Sequence, residues 1–222
     1  MGSGIGPRIY GVEAISIKFD AANKSLYSGS GTSILSTTKD VLLGTNTSYS
    51  SAGASSYFSF AGAGIVTSSS TVNISGTASR ALSAWVYFTS ATNQGVISFG
   101  TNGTGTGFSL ETTATVWKLG YGNSGVATTV TYSTNTWYHA VYVGEYVSST
   151  SMNLKLYVNG ILRHSSLVAS LNSANSILRL GSDPSETLKL NGYISSATCY
   201  TRSLNDREVL SNYVSKKSRY GL

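Results

Sequence analysis

Short runs of Val, Ile, Thr, Tyr and Phe, alternating apolar with polar residues, recur along this chain at roughly ten-residue spacing, set apart by clusters of Gly, Ser, Asn and Thr. A side-chain period of two buries one face of each run and wets the other, so the chain must fold as sheets. The sharpest instance is LKLYVNGILRHSS, where Asn159-Gly160 alone separates two such runs. A two-residue type I′ turn needs positive φ at both central positions, which Asn tolerates and Gly takes freely. The pattern predicts antiparallel strands at 154–158 and 161–165.

Elsewhere the same reading places Ile15, Ile17 and Phe19 on one face of a first strand and Ser16, Lys18 and Asp20 on the other. Further strands are predicted at 57–60, 81–88, 95–99, 107–111, 115–121, 126–132, 137–146, 177–180 and 190–200. Segment 81–88 is apolar on both faces around Trp85, as a central strand should be. Residues 28–56, rich in Ser, Thr, Gly and Ala, read as surface connections with one short strand at 40–43. One helix is expected after residue 205. Asn205 and Glu208 form a capping box, and Val209, Leu210, Tyr213 and Val214 make an apolar stripe that should lie on the sandwich with the lysines outward. The fold class is all-β: an antiparallel jelly-roll β-sandwich with one short helix.

A chain of 222 residues suits one large β domain, expected at 13–222 behind a Gly-rich arm at 1–12. Only 11% of residues are charged, which leaves Ser, Thr, Asn and Gly to finish the surface, a coat common on extracellular and virion β proteins. The net charge is +6, and half of that surplus comes from Arg202, Arg207, Lys216, Lys217 and Arg219 set against Asp206 and Glu208. The lone Cys199 lies in a strand-like run, where a free thiol acts as a small buried hydrophobe. No apolar run approaches about 18 residues, so neither a membrane span nor a signal peptide is expected.

Several strings carry a family resemblance: IKFDAANKSLYSGSGT, RALSAWVYFTS, NTWYHAVYV, LKLYVNG and LNGYISSATCYTRSLNDREVLSNYVSKKSRYGL. Running in order over residues 13 to 222, they resemble the laminin-G-like, concanavalin A-type jelly-roll domains of bacteriophage virion proteins and bacterial surface proteins. The resemblance implies a non-enzymatic virion component, in a surface decoration, a tail or a fibre, with the virion surface as its location and other virion proteins or further copies of itself as partners. The alternative it implies is a lectin-like module for surface glycans. Two departures stand out. Relatives often carry two aspartates after the YFSF strand, where this chain has Phe60-Ala61-Gly62-Ala63-Gly64, and their Asn/Gly-rich loop is replaced by Ser36-Thr37-Thr38-Lys39-Asp40.

Candidate chemistry is sparse. Retaining glycosidases set two carboxylates about 5–5.5 Å apart across the scissile bond, and no strand here carries acids on alternate residues, so no hydrolase is expected. His139 and His164 have no neighbouring ligand residues for a metal or a triad. No cofactor is called for, and calcium is the one left open, with Asp20, Asn23 and Asp183 as oxygen donors; the plainer role of each is to cap its own turn. For sugars, exposed rings are the usual platforms. Trp117, Tyr121, Tyr142 and Tyr157 are the candidates, with Tyr87 and Tyr138 on similar strands, whereas Trp85 and Trp137 match core positions of the resembled family. For assembly, Ile5, Ile9 and Tyr10 of the arm and the basic Lys216, Lys217 and Arg219 are the candidates. Basic residues without interleaved aromatics do not point to nucleic acid.

Overall fold

The computed structural model describes residues 14–27, 33–35, 41–51 and 55–222. Sixteen strands are found among them: β1 (Ile15–Asp20), β2 (Ser33–Leu35), β3 (Val41–Thr45), β4 (Ser48–Ser50), β5 (Tyr57–Ala61), β6 (Ile65–Thr71), β7 (Arg80–Phe88), β8 (Gln94–Gly100), β9 (Gly107–Thr112), β10 (Val116–Gly120), β11 (Gly125–Thr131), β12 (Trp137–Tyr146), β13 (Ser151–Val158), β14 (Ile161–Ala169), β15 (Ile177–Leu180) and β16 (Asn191–Tyr200). A helix α1 (Asp206–Val214) and a 3₁₀ turn (Lys217–Tyr220) follow.

The strands form two antiparallel sheets. Sheet A runs β14-β13-β12-β7-β16-β5-β4, with β1 also on β16, and sheet B runs β11-β10-β9-β8-β15-β6-β3-β2. β5 and β1 share one edge of β16: Tyr193 pairs with Ser59 in β5, and Ala197 pairs with Phe19 in β1. The Asn159-Gly160 hairpin is present as predicted, with φ of 52° at Asn159 and 81° at Gly160, and its strands extend to residues 151 and 169. The segment expected to be mostly connection contributes β2, β3 and β4, and β6 has no counterpart among the predicted strands.

Alternation along the strands builds two cores. Leu82, Ala84, Val86 and Phe88 of β7 face sheet B with Trp117, Leu119, Phe108 and Leu110, in one cluster between the sheets. The other phase of sheet A faces outward and is partly roofed by the segment after β16: Ala81, Val141, Val143, Tyr157 and Tyr200 bury against Leu204 and Val209. A nine-residue helix is too short to hold itself in water, so α1 exists because Val209 docks and because its start is capped; the expected four-residue stripe is corrected, since Leu210 and Val214 are 47% and 49% exposed. Asn205 accepts from the Glu208 N–H at 3.0 Å, and the Glu208 carboxylate accepts from the Asn205 N–H at 3.0 Å, the capping box read from sequence.

The expectation that the lysines beyond the helix face outward is corrected. Lys216 turns in to Asp20, with Nζ 2.8 Å from Oδ2, because the roof carries it over the outward face of β1.

Candidate functional site

The roof covers only part of the outer face of sheet A. Beyond it, neighbouring strands each raise one ring: Tyr57 on β5, Tyr193 on β16, Tyr87 on β7 and Trp137 on β12. Register brings them together, since Tyr193 pairs directly with Tyr87 and Tyr87 with Trp137. All four are half-buried. Tyr57 and Tyr193 stack at 4.3 Å and 25°, and Tyr193 and Tyr87 at 5.1 Å and 21°. These tyrosines therefore stand side by side, with their faces against one another and their edges outward. Trp137 is tilted by 58° to Tyr87 and 55° to Tyr57 and closes one side of the group.

The rim is polar and uncharged. Tyr87 Oη donates to Asn135 Oδ1 at 3.4 Å, and Thr89 Oγ1 donates to the Asn191 carbonyl at 2.9 Å. Asn135 is held in a left-handed conformation, φ 60°, with its N–H on the Phe88 carbonyl at 2.8 Å. Tyr220 from the 3₁₀ turn bridges covered and open regions, 4.9 Å from Trp137 and stacked at 4.0 Å on Trp85. Rigid rings with polar tips, edged by amides and hydroxyls, give a large amphipathic contact area at little entropic cost.

Three of the four rings expected to stack on sugar are corrected. Trp117, Tyr142 and Tyr157 are 0% exposed. Trp117 packs between the sheets against Phe88, Tyr142 stacks on Phe108 at 3.8 Å, and Tyr157 lies under α1 with its hydroxyl on Asp206 at 2.6 Å. None has a face left for a ligand. Tyr121 is half-buried and packs on the inter-sheet core, apart from the four-ring cluster. Of that cluster, sequence reasoning misses Tyr57 and Tyr193 altogether, reads Trp137 as core, and picks out only Tyr87. Alternation does carry a signal, since Tyr57 is out of phase with the inward Phe58 and Phe60.

The calcium donors are otherwise engaged. Burial would raise the Asp20 carboxyl, but hydrogen bonds and charge from Arg219 and Lys216 hold it down at about 2. A carboxylate already carrying two cations is a poor calcium ligand, so that role is corrected. Asn23 Oδ1 accepts from the Ser25 N–H at 3.1 Å, and Asp183 accepts from the N–H groups of Ser185, Thr187 and Leu188 at 3.1, 2.9 and 2.7 Å, so both cap turns. No group of three or more His, Cys, Asp or Glu among the described residues is placed to hold a metal. Two of the basic assembly candidates are corrected, since Arg219 joins Lys216 on Asp20; the third, Lys217, has its Nζ 5.9 Å over the Tyr213 ring. Ile5, Ile9 and Tyr10 lie outside the described residues.

A family model described as Concanavalin A-like lectin/glucanases superfamily matches residues 59–210, more than half of the chain. The chain belongs to this superfamily. No curated protein matches it. Among solved structures, domain 4 of AbnA, an extracellular arabinanase from Geobacillus stearothermophilus in complex with arabinotriose, superposes with a TM-score of 0.64 at 17% identity, covering 89% of this chain and 97% of that domain. The botulinum neurotoxin type G receptor binding domain gives 0.66 at 14% identity, with 90% of this chain and 51% of that one covered. Botulinum neurotoxin type C, whose cell entry is dependent upon interaction with two ganglioside molecules, gives 0.65 at 14% identity over 91% of this chain and 51% of that one. The chain thus spans about half the length of the toxin domains it matches. At these identities the likeness is one of fold: a superfamily sandwich of two antiparallel sheets.

Proposed function

We propose that this superfamily member is a non-catalytic glycan-binding module and that Tyr57, Tyr87, Trp137 and Tyr193 hold the sugar. One observation carries the reading: four half-buried rings from four adjacent strands converge on a sheet face that the described residues roof elsewhere and leave open here. Ring edges and phenolic hydroxyls meet the C–H and O–H groups of a saccharide, and the Asn135, Thr89 and Asn191 rim adds neutral hydrogen-bonding groups. An uncharged rim favours a neutral saccharide. The binding of arabinotriose by the AbnA domain supports the class of ligand.

Non-catalytic action is supported by the state of the one acid buried within a sheet B strand. Glu111 is 1% exposed, accepts from Ser109 Oγ at 2.5 Å and pairs with Lys118 at 2.8 Å, and the carboxylate that acts on it, Asp183, is occupied by the N–H groups of Ser185, Thr187 and Leu188. No cofactor enters the reading, so a chelator should leave binding unchanged. For setting, we propose display on a virion surface against other virion proteins or further copies; the uncharged Ser/Thr coat supports this, and recovery of the chain with purified particles tests it.

A glycan array followed by titration of the best hit tests the site. Trp137→Ala and Tyr57→Ala should each weaken binding tenfold or more, which is about 1.4 kcal/mol, while Tyr146→Ala, at an exposed position on the far end of β12, should not. Hits whose affinity ignores the first two variants would move the site elsewhere; an array without hits would end the reading.

A further inference from the structure

Between α1 and the outer face of sheet A lies a cavity of about 30 Å³, whose lining includes Lys18, Ser83, Trp85, His139, Asn212 and Lys216. A single water needs about 10–15 Å³ of such space, so the cavity has room for a small species. Three lining residues that are almost wholly buried carry a polar atom with no hydrogen-bond partner: Trp85 Nε1, His139 Nδ1 and Asn212 Oδ1. Such atoms are costly unless something satisfies them.

The charge around the cavity has one sign. Lys18 and Lys216 line it, and no acid does. The nearby carboxylate of Asp20 takes Lys216 at 2.8 Å and both Arg219 Nη atoms at 2.9 and 3.0 Å, so with Lys18 three cations share one anion. Lys18 enters no ion pair among the described residues. Lys18, Lys216 and Trp85 bring donors only, and the hydroxyls of Ser83, Ser196, Thr198, Tyr200 and Ser215 can donate or accept. His139 shares one hydrogen bond with Ser83, Nε2 to Oγ at 3.0 Å; in the tautomer whose Nε2 accepts that bond, Nδ1–H is a donor without a partner. The Asn212 amide presents either end after a flip that leaves its outline unchanged. Two ammonium groups with no acid in the lining favour an anion over water, and every polar side chain of the lining can offer it a donor.

We propose that this cavity is a monatomic-anion site that takes a halide such as chloride. The ion would neutralise the surplus around Lys18 and Lys216 and join α1 to β1, β7, β12 and β16. Burial, together with the charges of Arg219 and Lys18, pushes Lys216 below its ordinary range against the pull of Asp20, and a second anion would relieve that. None of the four open rings lines this cavity, and the proposal does not depend on the glycan reading.

Bromide is the probe. Crystals of the full chain soaked in sodium bromide should show an anomalous peak in this cavity at the bromine edge. The thermal unfolding midpoint in sodium bromide should exceed that in sodium gluconate at equal ionic strength by about 3 °C. Lys18→Gln, which breaks no ion pair, should abolish that difference and raise the half-saturating bromide concentration at least tenfold. The proposal is overturned by water density without anomalous signal, by unfolding that follows ionic strength irrespective of the anion, or by a Lys18→Gln protein with an unchanged bromide effect.

Discussion

Asp20 and Arg219, 199 positions apart, meet in a two-point ion pair: Nη1 to Oδ2 at 2.9 Å and Nη2 to Oδ1 at 3.0 Å. Lys216 adds a third bond at 2.8 Å, so one carboxylate on β1 holds down the segment that follows α1. The folded-state pKa of Asp20 is lowered from 3.8 to about 2. A lowered carboxylate contributes stability that is fully present above its unfolded value and lost as pH falls through the folded one. Unfolding free energy should therefore drop by about 2 kcal/mol between pH 5 and pH 2 on account of this group, since a tenfold difference in proton affinity between the folded and unfolded chains is worth about 1.4 kcal/mol. Asp20→Asn should remove that part of the acid dependence; urea titrations at stepped pH that give the variant the same slope as the parent would rule it out.

Trp85→Ala should cost about 3–5 kcal/mol, the usual range for truncating a buried Trp. Trp85 is 2% exposed although it sits on the outer phase of sheet A, because Tyr220 stacks on it at 4.0 Å and Tyr213 at 5.8 Å. The loss should therefore also free the roof. Equilibrium denaturation and the protease sensitivity of the 215–222 segment should change together.

Gly160→Ala should lower stability by about 1–2 kcal/mol, the cost of a left-handed residue with a Cβ. The added carbon would also meet Leu210 Cδ1 and Tyr213 Cδ1 at 3.0 Å, so the hairpin turn and the helix would compete for the same space. A urea midpoint equal to that of the parent would show that the turn does not hold φ of 81° in solution.

Cys199 should resist thiol reagents in the native protein. It is 0% exposed within the inter-sheet core, and burial raises its pKa to about 12, partly offset by the charge of Arg80, so almost no reactive thiolate forms at neutral pH. Labelling should proceed at the rate of global unfolding, and a rapid phase in native buffer would contradict this packing.

Period-two alternation makes most strands legible, and 137–146 and 177–180 match β12 and β15 end for end. It fails where polar residues fill a strand that is paired along both edges. β6 ends in Thr67-Ser68-Ser69-Ser70-Thr71, which reads as a loop, yet it lies between β15 and β3, where buried Ser68 accepts from the Leu178 N–H at 2.8 Å. The capping box is local and legible in full. The four-ring site is not, because it depends on register among β5, β16, β7 and β12, and no single strand encodes which rings arrive beside its own. The misplacement of Trp117 is avoidable: on β10 it shares a phase with Leu119 and opposes Lys118, which reaches outward to Glu111. Asp20 looks free for calcium in the sequence because the two cations that occupy it come from a segment almost two hundred positions away.

The place of β16 in sheet A sets the order of events at the ribosome. β1, β5 and β7 are all made early, yet each has an edge that only β16 completes. At the usual rate of about 5–20 residues per second, the interval between the end of β7 and the end of β16 is on the order of ten seconds. Throughout that time the emerging polypeptide presents open strand edges, the groups most prone to pair with a neighbouring molecule. Native sheet A is therefore a late, nearly all-at-once event in biogenesis, and yield in a crowded cell should depend on how well nascent β1, β5 and β7 are kept apart until their shared partner appears.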